Sequence, residues 1–164
     1  MRIKKSDIRE VKPEDASLLN FVVRQCFADV ARRFELTPEN CPSHPSNSTV
    51  EKIQDDIARG VSFFLKIDMG IPAGCVGLEK ADENTCYIVR LGVLPGRRGR
   101  GFGGQLLEKA VSKAKDSGAK TVSAGIIARD SELKNWYEKK GFVESETKEF
   151  EHLPFRVAFM SLSI

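Results

Sequence analysis

Val93-Leu-Pro-Gly-Arg-Arg-Gly-Arg-Gly-Phe-Gly-Gly-Gln-Leu-Leu107 is the stretch on which the reading of this chain turns. An apolar, β-prone run, Cys86 to Leu94, ends at Pro95. Past Arg98 come four glycines (Gly99, Gly101, Gly103 and Gly104), and an amphipathic pattern then begins. Glycine costs helix and strand stability, and its use is a tight turn or a close backbone approach to a ligand. Amides at a helix start share one direction, and the helix dipole favours an anion in front of them. Arg97, Arg98 and Arg100 add guanidinium donors suited to phosphate. The expectation is a phosphate or pyrophosphate site between a strand and a helix.

Charge around the loop agrees. From Arg97 to Lys120 the chain carries seven cations and two anions, an excess of +5, although the whole chain is only +3. The remaining 140 residues are therefore slightly acidic. A nucleic-acid patch is the competing reading of this segment. Its cations lack interleaved aromatics other than Phe102, and +3 overall is weak for that role.

Working outward, residues 2–11 read as a first strand. Lys12-Pro-Glu-Asp15 opens a helix, with proline at its first position and acids in the first turn. Leu19, Val22, Val23 and Cys26 continue it at helical spacing. Residues 35–48 hold Pro38, Pro42 and Pro45 without periodicity, and read as a structureless functional loop. Ser48-Thr-Val-Glu51 fits a capping box, and Val50, Ile53 and Ile57 form the next helix face. Strands are expected at Val61–Met69, Ala73–Lys80, Cys86–Leu94, Thr121–Ile127, Phe142–Phe150 and Phe155–Ile164. Helices are expected at Gln105–Ser117 and Ser131–Lys140, and Gly60, Gly118 and Gly141 fit helix stops. The order is β-α-α-β-β-β-α-β-α-β-β, an α/β domain of about seven strands.

Length and composition fit one domain spanning residues 1–164. A chain of 164 residues can bury a sizeable core without staples. No apolar run approaches the roughly 18 residues of a membrane span, and the start lacks a secretion signal. Four irregularly spaced cysteines read as reduced, buried thiols, and the expected compartment is the cytoplasm. Cys41-Pro-Ser-His44 is faintly metal-like, but zinc needs at least three protein ligands and the chain has two histidines. No metal is expected, and His44 and His152 read as surface residues.

Two known phosphate-binding patterns fit poorly. There is no Gly-Lys-Ser/Thr for a P-loop. Gly99-x-Gly101-x-x-Gly104 matches a dinucleotide fingerprint only as a string, since its strand stands mid-chain. The spacing instead resembles the acetyl-CoA loop of the GNAT superfamily of N-acetyltransferases. That family's pattern is Q/R-x-x-G-x-G/A, and Arg98-Gly-Arg-Gly101-Phe-Gly103 matches it in full. Leu91-x-Val93-x-Pro95 before it and Leu106-Leu107 after it resemble the family's strand and helix. Asp130-x-x-Leu133-x-x-Trp136-Tyr137-x-Lys139-x-Gly141-Phe142 resembles its second characteristic segment, with Asp130 and Leu133 where the family usually has Asn and Ala.

The resemblance implies a mixed, mostly antiparallel sheet of about seven strands flanked by about four helices. It implies acetyl-CoA as co-substrate, with no metal, and a primary amine as acceptor, on a small molecule or a protein, with direct transfer in a ternary complex. Leu91 and Val93 would pair with the pantetheine arm. Arg98, Gly99, Arg100, Gly101, Phe102, Gly103 and Gly104 would hold the pyrophosphate, with Asp130 and Tyr137 also at the cofactor. Tyr137 stands where the family usually places the proton donor for the leaving thiolate. Many members carry a base, Glu, where this chain has Tyr87, so Glu79 on the preceding strand is the substitute candidate. Loss of that Glu keeps open a non-catalytic acyl-CoA-binding module. The resemblance also places the segment around the first two helices, with the 35–48 loop, at the acceptor. A homodimer is common among related folds; no nucleic acid or membrane partner is expected.

Overall fold

The computed structural model describes residues 6–164. Strand β1 (Ser6–Glu10) is followed by a 3-10 turn at Pro13–Asp15 and helix α1 (Ala16–Arg33). Helix α2 (Val50–Ala58) leads into strands β2 (Ser62–Asp68), β3 (Ile71–Lys80) and β4 (Thr85–Val93). Helix α3 (Phe102–Asp116), strand β5 (Thr121–Ile127), helix α4 (Ser131–Lys139) and strands β6 (Val143–Lys148) and β7 (Val157–Ser163) complete the chain. The expected order of elements stands. The part of the first expected strand at residues 2–5 lies outside the described residues.

The seven strands form one sheet in the order β1-β2-β3-β4-β5-β7-β6. Among the described residues only β4 and β5 run parallel. The fold is thus α/β with a mixed, mostly antiparallel sheet and four α-helices. Strand β2 buries side chains on both faces, which splits the core in two. On one face Leu19, Val22, Cys26 and Ile53 of α1 and α2 cover Phe63, Leu65 and Cys75. On the other, Leu106, Leu107 and Ala110 of α3, with Tyr137 of α4, cover Phe64, Val76 and Ile88.

Two local features position the site. The β4–β5 ladder runs from the Thr85–Thr121 pair only to the Ile88–Ala124 pair. Beyond it both strands continue, so they splay. Opposite, the register with β3 slips: Gly77 faces Val89 and Cys75 faces Gly92, so Val76 alone faces Arg90 and Leu91. This is a β-bulge, a device that re-aims side chains beside sites. Arg90 takes a left-handed conformation there, with φ of 51°.

Residues 35–48 are ordered, contrary to the sequence reading. Leu36 and Cys41 are buried against Ile127, together with Leu153 and Phe155. Thr37 and Asn40 exchange hydrogen bonds, and Pro45–Asn47 form a 3-10 turn. The α2 cap is Thr49, which accepts from the Lys52 amide, and not Ser48.

Candidate active site

The glycine-rich loop begins where β4 ends. Pro95–Arg97 make a 3-10 turn, and α3 starts at Phe102, three residues before the position that the apolar pattern suggested. Gly99 and Gly101 have φ of 81° and 82°, a region costly for other residues. Gly103 and Gly104 lie in the first helical turn, where a Cβ would meet Trp136 and Lys140 of the α4 region at 3.3 and 3.0 Å. Their smallness lets α4 approach. The amides of Phe102, Gly103 and Gly104 head a helix of 15 residues and have no intrahelical partner.

The loop cations are tethered by carboxylates. Arg97 and Arg100 reach Asp68 of β2 at 2.8 and 3.5 Å. Arg98 forks onto Asp29 of α1 at 2.7 and 3.0 Å, and also donates to the carbonyls of Cys26 and Val93. Hydrogen bonding from Arg98 holds the Asp29 carboxyl below the usual carboxylate range. The local +5 read from the sequence is therefore partly balanced in space.

A cleft of about 630 Å³ opens between the splayed strands and the loop. Leu91, Val93, Arg98, Gly99, Gly101, Phe102, Gly103, Gly104, Asp130 and Tyr137, all singled out from the sequence, line it. Arg100 stands beside it, reaching Asp68. Tyr137 is 4% exposed and packs edge-on against Trp136 and Phe142 at 5.0 and 5.1 Å. Burial pushes its phenol well above the ordinary range, so it stays protonated at neutral pH. Asp130 caps α4 by accepting from the Leu133 amide and lies 3.8 Å from Arg33.

A second cavity of about 420 Å³ adjoins the first on the α1/α2 face of the sheet. Arg90, Gly125, Asp130 and Leu133 line both cavities, so the two meet at the splay. Glu79 and Tyr87, cross-strand neighbours, stand in its wall. Glu79 is bound to Arg59. Beside them, burial pushes the Asp56 carboxyl up, but hydrogen bonds from Arg90, Arg59 and Lys52 outweigh it and hold the group below its usual range.

His44 also lines this cavity and is 7% exposed, not a surface residue. Its Nδ1 lies 2.7 Å from Ser46 Oγ and caps the 3-10 turn, and its ring meets Phe27 edge-on at 5.9 Å. Burial pushes its pKa down to about 4. The sequence signal was His-Pro-Ser, a cap before proline. Arg90 and Asp56 were missed as well; nothing local marks either. Among the described residues no group of three His, Cys, Asp or Glu side chains gathers for a metal. No helix of the described residues is long and apolar enough to cross a membrane.

The model of the acetyltransferase (GNAT) family matches residues 27–142. PaiA N-acetyltransferase from Thermoplasma acidophilum, solved in complex with coenzyme A, superposes with a TM-score of 0.81. It is 21% identical, over 97% of this chain and 99% of that one. The yncA protein from Salmonella typhimurium, solved with its cofactor acetyl-CoA, gives 0.75 at 16% identity over 98% and 94%. A GNAT family acetyltransferase from Elizabethkingia anophelis with acetyl-CoA bound gives 0.65 at 17% identity over 99% and 100%. No curated protein sequence matches the chain.

Proposed function

The chain belongs to the acetyltransferase (GNAT) family, and from that premise we propose that it moves an acetyl group from acetyl-CoA to a primary amine within a ternary complex. One observation carries the reading: β4 and β5 part beside the glycine loop, and the gap joins two cavities. A donor and an acceptor can thus meet from opposite faces of the sheet.

The cleft residues fit acetyl-CoA. Unpartnered amides at Phe102–Gly104, with Arg98 and Arg100 beside them, suit a pyrophosphate. Strand β4 past Ile88 has free ladder positions toward β5, which suit the amides of an extended pantetheine. When bound, acetyl-CoA supplies an activated acyl group on sulfur. Leu91 and Val93 hold that group in line with the second cavity, and holding is the larger part of such a rate gain. A C–N bond forms as the C–S bond breaks; one proton leaves nitrogen and one goes to sulfur.

Tyr137 is the donor to sulfur in this scheme, since it lines the cleft and keeps its proton. Burial also weakens it as an acid, so it gives that proton up only to the thiolate formed as the C–S bond breaks. The nitrogen's proton goes to Glu79 or to water, Glu79 being a carboxylate in the acceptor-side wall. Glu79's ion pair with Arg59, together with Tyr87 at the usual position of the base, favours a second reading, an acyl-CoA-binding module without turnover. A screen of primary amines that follows release of the CoA thiol separates the two. Thiol release that depends on an amine supports transfer. Thermal stabilisation by acetyl-CoA without thiol release supports the binding module.

A further inference from the structure

Arg90 has no place in the scheme above, yet it sits where both cavities meet. Its left-handed φ of 51° is unusual for a long side chain, and such outliers persist where their surroundings demand them. The bulge that creates it turns the guanidinium toward the α1/α2 face. The side chain is only 14% exposed. Nη1 donates to Asp56 Oδ2 at 2.6 Å, and the group lies 5.7 Å from the Phe63 ring centre. Among the described residues no other acceptor takes one of its N–H groups.

Asp56 does not need Arg90 alone. It also accepts from Lys52 at 3.0 Å and Arg59 at 2.8 Å, and Arg59 continues to Glu79. Three cations thus surround two carboxylates, and Arg90 is the most buried of the three. A buried guanidinium with spare N–H groups is a fork suited to a carboxylate. Beyond it Phe27, Val30, Leu133, Phe155 and Phe159 make an apolar stretch of the cavity wall, which Asp130 and His44 also line.

We propose that Arg90 anchors a carboxylate of the acceptor, so that the acceptor is an amino acid with a hydrophobic side chain. This rests on the amine-acetyltransferase reading. Arg90 directly precedes Leu91, so an amine on the carbon next to the anchored carboxylate lies beside the donor strand. Asp56 acts as a positioning residue that aims the guanidinium.

The test uses the full-length protein with matched acceptors: leucine against isoamylamine, and phenylalanine against phenethylamine. Product is identified by mass and rate by thiol release. A preference of about 100-fold in kcat/KM for the amino acids is expected, since removing the carboxylate leaves the spare N–H groups of the buried guanidinium without an acceptor, while Nη1 stays on Asp56. Arg90→Gln should erase that preference through acceptor KM, leave acetyl-CoA KM unchanged, and be partly rescued by Arg90→Lys. Should Arg90→Gln fail to fold, the comparison in the unaltered protein still decides. Equal or faster acetylation of the plain amines overturns the proposal and leaves the acetyltransferase reading intact. Acetylation of neither series, with acetyl-CoA still stabilising the protein, overturns both.

Discussion

Lowering the pH should loosen the wall of the acceptor-side cavity through His44. Its imidazole is buried, bound to Ser46 and edge-on to Phe27, and burial pushes its pKa from 6.5 to about 4. An unfolded chain takes up this proton as the pH falls through about 6.5; the folded one holds out to about 4. Between those values the unfolded state binds more protons, so the stability from neutral His44 is full above 6.5 and lost toward 4. Taken whole, that gap is worth about 3 kcal/mol. His44 lines an open cavity, which weakens the effect, and the expected loss between pH 7 and 4.5 is about 1–2 kcal/mol. His44→Gln can still accept from Ser46 but does not titrate. Urea unfolding of both proteins across this range isolates the effect, because Asp15, Asp29 and Asp56 titrate in both and cancel. The stability difference should shrink by about 1–2 kcal/mol as the pH falls, and acceptor KM should rise in the unaltered protein while acetyl-CoA KM holds. Parallel stability curves would refute the linkage.

Gly101→Ala meets no atom within 4 Å, so its cost is conformational, about 1–2 kcal/mol of backbone strain. It should raise acetyl-CoA KM about 10-fold and leave acceptor KM alone, as steady-state kinetics with either substrate varied would show. Tyr137→Phe should lower kcat about 100-fold with little change in acetyl-CoA affinity by calorimetry; an unchanged kcat removes Tyr137 from the mechanism. Asp68→Asn frees Arg97 and Arg100, so acetyl-CoA should bind a few-fold more tightly at low salt and the gain should fade at high salt. Weaker binding would mean that Asp68 aligns these arginines rather than competing for them. Glu79→Gln should lower kcat about 100-fold with acetyl-CoA KM unchanged; an unchanged kcat moves the proton to water or another group.

Local chemistry was legible where one residue type has one physical use. Gly60, Gly118 and Gly141 follow helices with φ of 104°, 89° and 93°, as helix-stop glycines should. The loop with Arg97 and Arg98 was marked by spacing and Tyr137 by the family resemblance, and these line one cleft, with Arg100 beside it. What failed depends on contacts distant in sequence. Residues 35–48 carry no period, yet Leu36 and Cys41 find Ile127 some 90 residues away and become ordered. His44 looked polar and exposed because its partner is Phe27, on a helix before the loop. The charge count was correct but incomplete: Asp29 and Asp68, which tether the loop cations, lie outside the basic segment.

The splay of β4 from β5 is the feature that no local pattern announces, and it ties the readings together. Four residue pairs zip the two strands, then pairing stops while β4 runs on to Val93. Backbone groups left unpaired inside a protein are costly, so a gap in a ladder persists only if something else pairs or hydrates it. Gly92 lets α1 press close from one face, where a Cβ would stand 2.7 Å from that of Cys26. The bulge at Arg90 keeps β4 on β3 while turning the guanidinium to the other cavity. On the proposed reading a single strand thus offers backbone to an extended donor and a charged side chain to an acceptor. Closing the gap with a continuous ladder would, on that reading, remove donor and acceptor positions at once, so the proposed reaction depends on the irregularity of β4 as much as on the glycine loop.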